Sequence, residues 1–346
     1  MMRVAIAGGG GFAFLLTQQI VEGANPVLIM SRQVGSLTIG LYRTRADPVK
    51  AHPEFEENCP GCQVAVVDFT NMQELRYTLQ GVDLVISTIS GNEQLNLIDA
   101  ARQARVRHFV PSEFEGDLQH RPANDPFDQG SHAARDLLDR WCSPTDMNFT
   151  VFSCGLFMER FGPGGLQSYA LGTSSGVQGP SDYIVDVAEA TAEVVEADRR
   201  GRPAQISLTS VYNVAQFVAA AIELGVENWP REFRMRGDQM AVRELVATCS
   251  TVRGGGLPRQ SCLGRMLTMI LTVPFRLVSR TYQDAEGLAE EGRRNNDGVT
   301  WHYYQRLLQT ANGRYHVRHT NLNEAVNMRP MRFRAWLEQI WGAADA

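Results

Sequence analysis

The stretch "RVAIAGGGGFAFLLTQQIVEG", residues 3–23, decides the fold. Its first residues, Val4 to Ala7, form a short apolar run of the kind that makes a buried strand. Four glycines follow at once, and then apolar residues at helical spacing. In a strand–turn–helix unit, such a glycine turn lets the backbone approach a pyrophosphate, which then rests on the helix N-terminus. Gly8 and Gly11 have the G-x-x-G spacing. Three residues further on, where a third glycine normally lets helix and strand pack closely, stands Phe14. A phenylalanine there must turn aside or push the helix away.

The pattern continues outward from this unit. "PVLIMSR" (26–32), "CQVAVVDF" (62–69), "VDLVIST" (82–88), "VRHFV" (106–110) and "MNFTVFSCG" (147–155) read as five further strands. Helical spacing falls between them in "NMQELRYTLQG" (71–81), "QLNLIDAARQA" (94–104) and "GSHAARDLLDRW" (130–141). Val- and Ile-rich strands alternating with helices imply an α/β fold, a doubly wound parallel sheet of the Rossmann type covered on both faces. Residues 1–155 form this nucleotide-binding unit, and 206–237, with the amphipathic "VYNVAQFVAAAIEL" (211–224), are expected to return to it. Residues 156–205 and 238–346 are expected to build a smaller, mostly helical substrate-binding region. "FGPGGLQSYALGTSSGVQGPSD" (161–182) reads as loops around a site.

The second strand ends in Arg32, where NAD-binding versions carry an acid for the ribose hydroxyl. An arginine suits a 2′-phosphate, so NADP(H) is the expected cofactor. Asp68, after the third strand, fits a role near the adenine or a helix cap. The expected cofactor-binding residues are Gly8, Gly10, Gly11, Phe12, Arg32, Asp68 and Ser87.

The net charge of −5 over 346 residues argues against a nucleic-acid surface. Of the 33 basic residues only Lys50 is a lysine. Arginine cannot readily give up and recover a proton near neutrality, so a general acid must be sought elsewhere. The longest apolar run, "MLTMILTV" (266–273), is far short of the roughly 18 residues of a membrane span. It reads as a buried helix or pocket wall. No signal-peptide pattern is seen, and a cytoplasmic protein, monomer or homodimer, is expected. Cys59 and Cys62 form a C-P-G-C stretch without a second pair, so it reads as a turn and not a metal site.

"VAIAGGGGF", "VVDFTNMQELRYTLQGVDLVIS", "FVPSEFEG", "FTVFSCGLFMERF" and "VAQFVAAAIEL" occur in this order. Together they resemble the NmrA-like, isoflavone-reductase-like proteins, atypical short-chain dehydrogenases, and most of all their fungal members. The resemblance runs from residue 3 to about 250. It implies a Rossmann fold, NADP(H), and reduction of small aromatic or phenolic compounds, often in secondary metabolism. One branch binds NADP(H) as a transcriptional co-regulator without turnover. Three departures stand out. Gly10 replaces a threonine and Phe14 a glycine in the turn. The P-S-E-F-G motif has become Pro111-Ser112-Glu113-Phe114-Glu115-Gly116. The family lysine, thought to assist proton transfer, aligns at or next to Ser131.

With that lysine gone, the loop after the fifth strand, "PSEFEGDLQHRPANDPFDQGSH" (111–132), becomes the place to look for acid–base groups. Glu115, Asp117, Arg121, Ser112 and His132 are the candidates, with Glu113 and His120 beside them. A carboxyl in an apolar pocket can act as an acid, and an arginine can hold it ionised or clamp an oxyanion. Phe157, Met158, Phe161, Trp301 and Tyr303 are expected pocket walls. Three functions fit: a non-redox isomerisation, cyclisation or rearrangement of a polycyclic or aromatic natural product with NADP(H) bound; an NADPH-dependent reduction with another proton donor; and a non-catalytic NADP(H)-sensing regulator.

Overall fold

The computed structural model describes residues 2–32, 59, 61–142, 147–172, 183–254 and 275–342. Six strands form its central sheet: β1 (Val4–Ala7), β2 (Val27–Ser31), β3 (Cys62–Val66), β4 (Leu84–Ser87), β5 (His108–Val110) and β6 (Asn148–Phe149). Their order is β3-β2-β1-β4-β5-β6, and every pair is parallel. This is the Rossmann order. Among the described residues four helices accompany them: α1 (Gly11–Glu22), α2 (Met72–Thr78), α3 (Gly91–Gln103) and α4 (Ser131–Trp141).

Strand alternation divides the apolar residues between two layers. Val4 and Ile6 face the cluster that contains Leu16 and Ile20 of α1. Ala5 and Ala7 face the cluster with Leu75 of α2, Leu97 and Ile98 of α3, and Leu137 and Leu138 of α4. Both faces of β1 are therefore buried, as its uninterrupted apolar run requires. Asn71 caps α2 by accepting from the N–H groups of Gln73 and Glu74.

The sixth strand expected over 147–155 is broken. Thr150 still donates its N–H to Phe109 O, but Val151 donates to Arg231 O. Here the chain leaves β5 and starts β7 (Val151–Ser153), which pairs with a later strand. Thr150 Oγ1 fixes the break by donating to Pro230 O at 2.6 Å.

The second half contains more sheet than its sequence suggested. β8 (Leu156–Phe157), β9 (Val185–Asp186), β10 (Thr191–Val195), β11 (Gln205–Thr209), β12 (Glu232–Arg234), β13 (Asp238–Ala241) and β14 (Arg276–Arg280) follow β7. They form two three-stranded sheets, β13-β11-β8 and β14-β10-β9, while β12 pairs with β7. These strands are at most five residues long, too short for periodicity to distinguish them from loops. The helices of this half are α5 (Val211–Glu223), α6 (Val242–Gly254), α7 (Tyr282–Arg294), α8 (Gly298–Ala311), α9 (Asn321–Ala325) and α10 (Phe333–Gly342). Val211, Val214, Phe217, Val218 and Ala221 of α5 join the same apolar cluster as α1 and β1. The 266–273 run lies outside the described residues. No described helix is long and apolar enough to cross a membrane. Cys59 and Cys62 are buried, and their turn is closed by a Cys62 N–H to Cys59 O bond of 3.1 Å.

Phe14 is 3% exposed and belongs to the cluster between α1 and α5. The ring is thus a core element. Phe14→Ala should cost about 3–5 kcal/mol in chemical denaturation, and Phe14→Gly more, since glycine also weakens a helix interior. A loss below about 1 kcal/mol would show that the ring fills no core space.

Glu159, in the turn Met158–Phe161 that follows β8, caps α5 from across the fold, accepting from Ser210 Oγ at 2.7 Å and Val211 N at 2.9 Å. Burial pushes its carboxyl from 4.5 up to about 7. The folded state therefore favours the protonated acid. The stability this group contributes is fully present below about 4.5 and is lost as pH rises through about 7. The full difference is about 3 kcal/mol at most. Glu159→Gln should flatten this slope in Tm measured against pH, and an unchanged slope would rule Glu159 out as its source.

Candidate functional site

The strand order reverses between β1 and β4, so a crevice opens at their carboxyl ends. A single cleft of about 1640 Å³ starts there. Gly8, Gly9, Gly10 and Phe12 line it from the β1–α1 turn, Ser31 and Arg32 from the end of β2, and Thr88, Ile89 and Ser90 from the segment after β4. It continues past Ser112, Glu113, Phe114 and Glu115 to Phe157, Arg160, Tyr183, His302, Tyr303 and Tyr315.

The glycines are held by close approach. Gly8 has φ +124°, and a Cβ there would lie 2.1 Å from Thr88 Oγ1. A Cβ at Gly11 would lie 2.0 Å from Tyr169 O, and the Gly11 N–H donates to Ala170 O at 3.2 Å. At Gly10 a Cβ meets nothing nearer than Ala170 O at 3.6 Å, so the missing threonine is not a steric necessity. Gly10 offers α1 no side-chain cap, and the first turn carries no acidic residue. Its backbone N–H groups and the helix dipole therefore suit an anion such as a pyrophosphate.

Arg32 lies at this end of the cleft and pairs with Glu93 of α3, Nη1 to Oε1 at 3.1 Å. Asp68 and Ser87 are placed elsewhere. Asp68 is on the surface, accepting from the N–H and hydroxyl of Thr70, which hold its carboxyl below the ordinary range. Ser87 is fully buried and donates to Ile89 O at 3.0 Å. Neither lines the cleft; the neighbours Phe69 and Thr88 do.

The loop candidates do come together, but mainly to hold one another and the C-terminal half. Glu113 has a fully buried side chain whose Oε2 accepts from Arg121 at 2.6 Å and Arg135 of α4 at 2.5 Å. Burial pushes its carboxyl above the ordinary value, against the pull of both guanidiniums. Its Oε1 has no hydrogen-bond partner among the described residues. Glu115 takes a two-pronged bond from Arg314, with Nη2 at 3.0 and 3.1 Å from its two oxygens. Arg314, 1% exposed, also donates to Asp125 and to Gln309 Oε1. Asp117 is buried and caps the turn over Leu118–His120 by accepting from Gln119 N. Arg121, committed to Glu113, also donates to Gly116 O.

Of the five catalytic candidates, Ser112 and Glu115 line the cleft, while Asp117, Arg121 and His132 do not. Asp117 and Arg121 are drawn into caps and ion pairs. His132 is on the outer side of α4, its ring 3.7 Å from Asp136. Ser131, at or next to which the family lysine is expected to align, is on the cleft wall.

The far end is aromatic. Phe157 and Tyr303 line it, as expected, but Met158, Phe161 and Trp301 belong to the apolar cluster behind. Tyr303 and Tyr304 both donate to Glu193, at 3.2 and 3.1 Å. Burial pushes the Tyr315 phenol to about 12 and Tyr183 well above its usual value. These phenols hold their protons tightly. Sequence reasoning missed His302, in the first turns of α8. Its Nδ1 donates to Gly298 O at 2.6 Å, and its ring lies 6.0 Å from that of Phe127, four residues before Ser131. Among the described residues it is the only imidazole on the cleft wall.

Arg314→Met leaves Glu115 and Asp125 without their shared cation. Removing one partner of a buried ion pair costs about 3–5 kcal/mol, which denaturant unfolding should record. A loss below about 1 kcal/mol would mean that the two carboxylates are adequately solvated without it.

Comparison with known proteins agrees with this architecture. Isoflavone reductase homolog A622 of Nicotiana glauca is 25% identical over 166 residues, 46% of this chain and 50% of the relative. The chain thus spans about half the length of such curated relatives. Oxidoreductase swnR of Arthroderma benhamiae is 22% identical over 258 residues, 71% of this chain and 72% of the relative. A solved structure of AtPrR2 with NADP+ and (+)pinoresinol superposes with a TM-score of 0.62 at 17% identity, covering 98% of each chain. That likeness shows the shared fold. The model of the NmrA-like family matches residues 5–298, and the chain belongs to that family.

Proposed function

We propose that this protein binds NADP(H) along the β1–α1 turn and reduces a small aromatic or polycyclic metabolite at the far end of the same cleft. The observation that carries the reading is the continuity of that cleft. One end has the glycine turn, the start of α1 without a side-chain cap, and Arg32; the other has Phe157, Tyr183, Tyr303 and Tyr315. Although the Gly11 N–H is held by Ala170 O, the glycine turn and the helix dipole fit a pyrophosphate, and Arg32 fits a 2′-phosphate. The solved structure named above holds NADP+ together with (+)pinoresinol, which supports a cofactor-and-small-molecule pairing here.

When bound, the nicotinamide supplies a hydride. Reducing one double bond takes that hydride and one proton. Arginines stay charged, the tyrosines hold their protons, and Glu115 is tied to Arg314. Glu113 also lines the cleft, but its Oε2 is held by both Arg121 and Arg135, and we take His302 as the proton carrier. Its Nδ1–H is spent on Gly298 O, so Nε2 is the atom that holds or releases the proton. Phe127 and Trp301 set the ring's plane by their contacts with it.

A second reading, non-redox acid–base chemistry, is supported by Ser131 on the cleft wall, at or next to the place expected for the family lysine. Commitment of Asp117, Arg121 and Glu115 to caps and ion pairs weighs against it.

The decisive measurement is NADPH absorbance during turnover of candidate aromatic ketones and enones. Stoichiometric loss supports reduction. Conversion without loss, supported equally by NADP+, supports the second reading. Tight nucleotide binding with no conversion of any candidate would favour a sensing role. His302→Gln should lower kcat by about 10²–10⁴-fold while nucleotide affinity stays within about twofold. Wild-type turnover in that variant would send the proton elsewhere.

A further inference from the structure

Nucleotide-binding sheets of this order face the adenosine ribose with the residue just after the second strand. An acid there accepts from the ribose hydroxyls, and an arginine there takes a 2′-phosphate. This chain brings both to one place. Arg32 comes from the end of β2, while Glu93 arrives from the first turn of α3, across the point where strand order reverses. Both line the cleft, and they are joined at 3.1 Å.

Resting on the cofactor reading above, we propose that Glu93 weakens the preference for a 2′-phosphorylated nucleotide by competing with the 2′-phosphate for Arg32. With the pair closed, the guanidinium already has an anion, and a carboxylate stands beside the ribose position. A nucleotide without the 2′-phosphate finds an acceptor for its hydroxyls. A 2′-phosphorylated nucleotide must first open the pair and then sit next to the displaced carboxylate.

Two features make this competition effective. Glu93 is in the first turn of α3, where the helix dipole favours a negative charge. The pair is also easily opened. The Arg32 side chain is 68% exposed and that of Glu93 30%, and ion pairs so placed are weak and screened by salt. A phosphate offers a guanidinium stronger, two-pronged bonds than one carboxylate oxygen does. Glu93 therefore lowers the preference set by Arg32 without reversing it, and the preference becomes dependent on ionic strength.

The test uses adenosine 2′,5′-bisphosphate and adenosine 5′-monophosphate as probes, titrated calorimetrically against wild type, Glu93→Gln and Arg32→Gln at low and high salt. Circular dichroism checks that each variant is folded. Glu93→Gln should bind the bisphosphate about fivefold more tightly, the scale of a lost surface ion pair. Its affinity for the monophosphate should be unchanged or weaker. The gain should shrink at high salt. Arg32→Gln should weaken the bisphosphate about tenfold, as loss of a charged hydrogen bond does. If Glu93→Gln binds the bisphosphate no better, or less well, Glu93 does not compete and the inference falls alone. Should wild type bind neither probe nor NADPH, the cofactor reading and this inference fall together.

Discussion

The site depends on one buried cation. Arg314 reaches the loop after β5 only because Gly116 has no side chain; a Cβ there would lie 1.9 Å from Arg314 O. The contact joins segments 199 residues apart, and three cleft-lining residues, Glu115, Phe127 and Tyr315, sit beside it. Taking a guanidinium out of water is costly unless its donors are matched. Here Glu115, Asp125 and Gln309 supply acceptors around the plane of the group. A second cluster repeats the device, with Arg121 and Arg135 converging on Glu113. Such a frame contributes less to net stability than to fixing one arrangement of the cleft walls.

Much of the first half was legible in the sequence, because a parallel sheet covered on both faces needs strands that are apolar throughout. Val4–Ala7, Val27–Met30 and Leu84–Ile86 meet that demand, and all three stretches are buried. The second half was less legible for the opposite reason. Strands such as β10 and β11 are short and mix Thr, Glu, Gln and Ser with their apolar residues. Their pairing is set by partners far along the chain.

The same distance effect governed the site. Glu115, Asp117 and Arg121 looked like an acid–base set because they are neighbours in sequence. Their roles are decided by Arg314, by the turn over Leu118–His120, and by Glu113. None of these links can be read from spacing. Conversely, Glu93 reads simply as a first-turn helix acid, and His302 as one residue of an amphipathic helix. Only the topology that carries α3 and α8 to the cleft gives them a possible function. Gly8, Gly10, Phe12 and Arg32 were visible because a local motif fixes their place at the switch point.

Building the frame from arginine also gives it an uneven tolerance of solvent conditions. Burial opposes the charge on Arg314, but Glu115 and its neighbours more than offset this, and the same holds for Arg121. An ammonium in either place would offer fewer donors and would give up its proton to base more readily than a guanidinium does. The frame is therefore indifferent to base and can fail only when its carboxylates are neutralised by acid. It is equally blind to amine-directed acylating reagents, which find no lysine side chain beyond Lys50 in this chain. Dicarbonyl reagents selective for guanidiniums would instead report directly on how tightly the frame is closed.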